Sequence, residues 1–108
     1  MVYQISVDEL KARLDKDESV FILDVRQEWE NDTVKLPNSM LIPLGELPNR
    51  ANEIPKNDQK LIVVYCHHGV RSLSGAAILE AAGHTHVASL GGGIDRWSIA
   101  IDPTLPRY

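Results

Sequence analysis

The chain has 108 residues, 44% hydrophobic and 24% charged, the balance of one soluble globular domain over residues 1–108 and too little chain for two. A net charge of -4 leaves no basic footprint for nucleic acid and disfavours anionic membrane surfaces. One cysteine excludes an internal disulfide, and residues 1–9 lack a basic-then-apolar leader, so a cytoplasmic protein with no membrane span is expected.

Tyr3-Gln4-Ile5 reads as a short strand. Ser6 with Glu9 three residues later carries the capping-box signature of a helix running to about Asp15, with Leu10 and Leu14 on its buried face. Val20-Phe21-Ile22-Leu23 is a continuous apolar run, as in a strand covered on both faces, and it gives way to Asp24-Val25-Arg26. A short helix is expected over 27–31, then a strand Met40-Leu41-Ile42 stopped by Pro43. A helix follows over 44–54, in which Pro48 must lie in the first turn or break it. Leu61-Ile62-Val63-Val64-Tyr65 is the clearest strand, and the Ala-rich helix over 72–82 ends at Gly83, a C′ residue. His86-Val87-Ala88-Ser89-Leu90 is the last strand, after which Gly91-Gly92-Gly93 turns the chain into a helix over 94–98 and a Pro-containing tail. Strands alternating with helices imply an α/β fold, a central mostly parallel five-stranded sheet with helices on both faces.

In such sheets, sites gather beyond the carboxyl ends of the strands. Asp24-Val25-Arg26, Cys66 and the glycine turn all fall there. Cys66 heads the loop Cys66-His67-His68-Gly69-Val70-Arg71-Ser72, between a strand and a helix start. A loop so placed aims backbone N–H groups and the positive end of a helix dipole at one point, where a cysteine is favoured as thiolate. Arg71 adds a cation with a fork of donors. The plainer alternative, a small buried residue at a strand end, needs neither a Gly nor an Arg nearby.

Three motifs, in this order and spacing, resemble the single-domain rhodaneses, a sulfurtransferase family, over almost the whole chain. They are Leu23-Asp24-Val25-Arg26 with Glu28 and Trp29, the loop from Cys66 to Ser72, and Leu90-Gly91-Gly92-Gly93-Ile94-Asp95-Arg96-Trp97. The tail Ile101-Asp102-Pro103-Thr104-Leu105-Pro106-Arg107-Tyr108 is similar to the ends of some single-domain rhodaneses and of rhodanese modules fused to ubiquitin-activating-like enzymes. One departure is visible: where members carry a His-Ile-Pro-Gly-Ala-like segment, this chain has Lys35-Leu36-Pro37-Asn38-Ser39, which puts that turn in question.

The resemblance implies a thiosulfate sulfurtransferase in which the Cys66 thiolate takes the outer sulfur of a thiosulfate-like donor and passes it to cyanide or a thiol. It implies that the N–H groups of residues 67–71 stabilise the sulfur, that Arg71 holds the loop and attracts the anionic donor, and that His67 and His68 steer anions or shuttle protons. A sulfur-carrier protein or a thioredoxin-like reductant is a candidate partner, and no cofactor is called for. Four residues between Cys66 and Arg71 resemble the sulfur-handling members, whereas five resemble the cell-cycle phosphatase branch. A protein-to-protein sulfur relay and a non-catalytic binding domain on the same fold are the alternatives, although the latter class commonly lacks the cysteine.

Asp24 and Arg26 read as site support or, more simply, as a structural pair. Core packing is expected of Trp29 and Trp97, and a solvated turn of His84 and His86, with no metal site. Glu28, Glu30, Asp32 and the lysines read as solvated surface. The glycine triplet lacks the Lys-Ser/Thr ending of a phosphate loop, so a close backbone approach to the Cys66 loop is expected.

Overall fold

A computed structural model describes residues 2–56 and 60–108; Met1, which heads the segment read for a leader, lies outside the described residues. The elements are β1 (Tyr3–Ile5), α1 (Val7–Asp15), β2 (Val20–Asp24), α2 (Glu28–Thr33), β3 (Ser39–Leu41), α3 (Leu47–Arg50), β4 (Leu61–Tyr65), α4 (Arg71–Ala81), β5 (Val87–Leu90) and α5 (Gly93–Ala100). The strands lie in the order β1-β5-β4-β2-β3, and each described pairing is parallel, so the sheet is all-parallel where the sequence suggested mostly parallel.

The period-2 geometry of strands sorts β4 between two cores. Leu61, Val63 and Tyr65 face a cluster with Leu10, Ile94 and Trp97. Ile62 and Val64, with Cys66 just beyond, face another with Leu47, Ala76 and Leu79. Both faces are thus covered, which explains why β4 is apolar without alternation. It also fixes Cys66 on the face that α4 covers.

Several local expectations are refined. The Ser6 hydroxyl accepts from the Glu9 N–H at 3.0 Å, but the Glu9 carboxylate takes the Tyr3 hydroxyl instead of closing a capping box. The helix expected over 44–54 is divided into a 3₁₀ turn (Leu44–Glu46), α3 and a second 3₁₀ turn (Ala51–Glu53), with Pro48 in the first turn of α3. Pro there removes only an N–H that has no intrahelical partner.

The departing segment forms a turn at Pro37-Asn38. Asn38 stands where the resembled segment has Gly and adopts the left-handed conformation, φ 60°. Asn reaches this region more readily than other residues with a side chain. The flanking backbone is held from the sheet, since the Tyr65 hydroxyl accepts from the Leu36 N–H at 3.2 Å and Arg26 donates to the Val34 carbonyl at 2.6 Å. Asn38→Gly is expected to be near neutral, and Asn38→Val to cost about 1–2 kcal/mol, or a Tm fall of about 5 °C or more. Equal melting temperatures for the two variants would contradict this account of the turn.

Candidate active site

Cys66 follows β4 directly and is 1% exposed. Its Sγ accepts from the Gly69 N–H at 3.1 Å and the Ser72 N–H at 3.4 Å, with the Ser72 hydroxyl at 3.6 Å. Of the loop N–H groups expected to face the sulfur, Gly69 does so, and Ser72, one residue past the expected set, is the other. Ser72 lies in the first turn of α4, where N–H groups have no intrahelical acceptor, so the sulfur takes the place of a cap. Two N–H groups thus converge on the sulfur at the N-terminal end of an eleven-residue helix.

The curl needs glycine twice. Gly69 has φ 97°, with the Gly92 nitrogen 3.0 Å from where a Cβ would stand. Gly93 has φ 61°, and a Cβ there would collide with the carbonyl oxygens of Cys66 and His67. Those carbonyls accept from the Ile94 N–H at 2.9 Å and the Asp95 N–H at 3.1 Å. The expected close approach of the glycine turn to the Cys66 loop is therefore present, and α5 grips the loop backbone through it.

Arg71 opens α4 and donates through both terminal nitrogens to Glu30, at 2.7 and 2.9 Å. Glu30 also accepts from the Gln27 N–H at 3.0 Å and the Tyr108 hydroxyl at 2.6 Å. The Arg71 fork, followed by the Gln27 and Tyr108 bonds, outweighs burial and holds the Glu30 carboxyl down to about 2. Glu30 is thus buried, which corrects its reading as solvated surface; Glu28 and Asp32 are exposed as expected. Its partner lies 41 residues away, so no local pattern marks it. Arg71 anchors the loop more than it offers free donors.

Asp24 and Arg26 are fully buried and bound to each other. Arg26 donates from its backbone N–H and Nε to Asp24 Oδ1 at 2.9 Å each, and from Nη2 to Oδ2 at 2.7 Å. Asn31 and the Tyr65 hydroxyl donate to the same Oδ2, at 3.0 and 3.2 Å. Burial disfavours the Arg26 charge, but the Asp24 and Tyr108 hydrogen bonds more than offset it. The pair therefore fixes the carboxyl end of β2 against the segment after α2, as in the structural alternative. Buried ion pairs of this kind are held by complete hydrogen bonding more than by net attraction.

His67 and His68 stack on each other at 3.9 Å, and His67 stacks on Tyr108 at 3.9 Å with planes 10° apart. Burial first and His68 second hold the His67 imidazole below its ordinary range, against Asp95 and Glu30. Val70 points outward, 73% exposed. Trp97 is buried as expected, but Trp29 is 61% exposed at the edge of Tyr108, against its expected core packing. Trp29 lies in the first turn of the six-residue helix α2, whose buried residue is Glu30, so its indole is left to the surface beside Tyr108. His84 is buried, its Nε2 against the Ala51 carbonyl at 3.2 Å, and so is not in a solvated turn; His86 is exposed. A polar residue that sequence reading passed over is Ser89, buried in β5 with its hydroxyl 2.7 Å from that of Ser72. Its one signal is a hydroxyl inside the apolar run Val87-Ala88-Ser89-Leu90.

The rhodanese-like domain family matches residues 6–100 of this chain. The chain belongs to the rhodanese-like family. A "Sulfurtransferase" of Allochromatium vinosum is 35% identical over 98 residues, which are 91% of this chain and 90% of that protein. A Bacillus subtilis protein, "Putative sulfur carrier protein YrkF", is 38% identical over 95 residues, 88% of this chain; the chain spans 50% of that relative's length. The crystal structure of a rhodanese-like domain protein from Staphylococcus aureus matches with a TM-score of 0.83 at 33% identity, covering 99% of each chain. The architecture is accordingly the α/β rhodanese fold, with a five-stranded all-parallel sheet and five α-helices among the described residues. No helix among them is long and apolar enough to cross a membrane.

Glu30 ionises near 2 in the folded rhodanese domain against an ordinary 4.5, so its stabilisation is complete above about pH 4.5 and fades as pH falls to about 2. Glu30→Gln is expected to lose about 1–3 kcal/mol at pH 7, with the gap to wild type narrowing below pH 4.5 in urea unfolding. A gap independent of pH would contradict the ionised pair.

Proposed function

We propose that this is a single rhodanese domain over residues 1–108 that moves sulfane sulfur from thiosulfate or a similar donor to a thiophilic acceptor through a Cys66 persulfide. The observation that carries the reading is the Cys66 sulfur with two converging N–H donors at the positive end of α4. Sulfur handling in the names of two relatives supports it.

The Cys66 thiolate attacks the outer sulfur of thiosulfate, forming one S–S bond. The donor's own S–S bond breaks and its electron pair leaves with sulfite. The resulting persulfide carries its negative charge on the outer sulfur, which the N–H groups of the loop 67–71 would stabilise. Cyanide or a thiolate then takes the outer sulfur, and the electron pair of the broken bond restores the Cys66 thiolate. This two-stage covalent route balances without a metal or organic cofactor, and kinetics should be ping-pong. A sulfur at the bottom of a curled loop suits a donor that presents one narrow terminal sulfur, in keeping with four residues between Cys66 and Arg71 and against phosphatase chemistry.

A second reading, a protein-to-protein sulfur relay, is favoured by one observation. Trp29 at 61% and Val70 at 73% exposure lie around the same loop, and exposed tryptophans anchor protein interfaces more often than other residues do. A sulfur-carrier protein or thioredoxin-like reductant then takes the place of cyanide. We place the protein in the cytoplasm, where a lone thiol stays reduced.

Thiocyanate formation from thiosulfate and cyanide is expected in wild type and to fall on the order of 10³-fold or more in Cys66→Ser, with an unchanged unfolding midpoint. Retained turnover in that variant removes Cys66 from the mechanism. Hydrolysis of an aryl phosphate by wild type would move the reading to the phosphatase branch.

A further inference from the structure

Glu30 has two carboxylate oxygens and four accepted hydrogen bonds, and one of the four comes from Tyr108. The same Tyr108 hydroxyl accepts from Arg26 Nη1 at 2.9 Å. A continuous chain of charge-assisted bonds therefore runs from Asp24 through Arg26, Tyr108 and Glu30 to Arg71. Arg71 adjoins Ser72, whose N–H donates to the Cys66 sulfur. The ring of Tyr108 works on the other side of the loop, stacked on His67, the residue directly after the cysteine. Arg107 acts beside it, donating to Asp95 Oδ1 at 2.8 Å, while Asp95 Oδ2 faces His68 Nδ1 at 3.8 Å. Two consecutive residues of the segment 101–108 thus flank the pair His67-His68, and Tyr108 also packs, with Ile101 and Leu105, against the apolar cluster that holds Trp97.

We propose that Tyr108 is a positioning residue of the Cys66 site, whose hydroxyl and ring fix the loop that presents N–H groups to the sulfur. The proposal rests on the sulfur-transfer reading only for its effect on turnover. Removing the hydroxyl leaves fully buried Arg26 without one acceptor and Glu30 without one donor, and the loss at Glu30 acts directly on the carboxylate that anchors Arg71. Packing alone makes a different demand, since a residue that only covers apolar surface tolerates Phe and leaves the loop as it was.

Tyr108→Phe keeps the ring and removes the hydroxyl; Tyr108→Leu removes both. Hydrogen exchange at the Ser72 amide reads the loop without reference to activity, and exchange at Val63 in β4 reads global stability. In Tyr108→Phe, Ser72 protection is expected to fall about tenfold more than that of Val63, the scale of one charge-assisted hydrogen bond. Tyr108→Leu should fall further. In turnover of thiosulfate, kcat should fall by about the same factor with KM within about twofold, as for a group that does not touch the donor. Equal losses at Ser72 and Val63 in Tyr108→Phe overturn the proposal. A wild type that transfers no sulfur from thiosulfate would sink the thiosulfate reading instead and leave the exchange result to decide on Tyr108.

Discussion

The Cys66 sulfur accepts two backbone N–H groups inside a buried loop, and much of the molecule is arranged so that those groups can point at it. Gly69 must be left-handed for the loop to curl back, and Gly93 must lack a side chain for α5 to reach the loop carbonyls. Arg71 must be held at the start of α4 so that Ser72 follows with its N–H free of a helical acceptor. An N–H group turned inward with no acceptor would be costly, about 1–3 kcal/mol each, so sulfur and loop specify one another. A negative sulfur strengthens both bonds, which couples the folded shape of the loop to the charge the proposed reaction requires.

Behind the loop, the ion pairs act on position. Asp24–Arg26 and Glu30–Arg71 are buried wholly or in part, where desolvation offsets much of their attraction. What distinguishes them is saturation: Asp24 and Glu30 accept from backbone, side-chain amide or hydroxyl donors as well as from arginine. Such groups lose several bonds at once if displaced, so the carboxyl ends of β2 and β4 keep a fixed relation. The site is built on that relation, which is why residues from three distant parts of the chain meet at one sheet edge.

The strands were legible because a sheet covered on both faces demands unbroken apolar runs, and Val20 to Leu23 and Leu61 to Tyr65 are such runs. The Cys66 loop was legible because its chemistry is local: sulfur, glycine, arginine and helix start fall within seven residues. Glu30 and Tyr108 were not, because their roles depend on partners 41 and 78 residues apart in sequence, and a lone acidic residue on a short helix looks the same buried or solvated. Trp29 and His84 failed for the converse reason. Average burial tendencies describe a residue type, while the individual case is decided by neighbours such as the Ala51 carbonyl against His84 and Tyr108 against Trp29. Asn38 shows a third kind of gap, in which a residue other than Gly takes up a left-handed turn position.

The central proposal is that Cys66, held in its loop, accepts a sulfur atom from a donor. Intact mass spectrometry after brief incubation with thiosulfate, before and after reductant, tests it most directly, with Cys66→Ser alongside. A gain of one sulfur atom that reductant removes, confined to wild type, is the predicted result. No gain in wild type, or the same gain in Cys66→Ser, would contradict it.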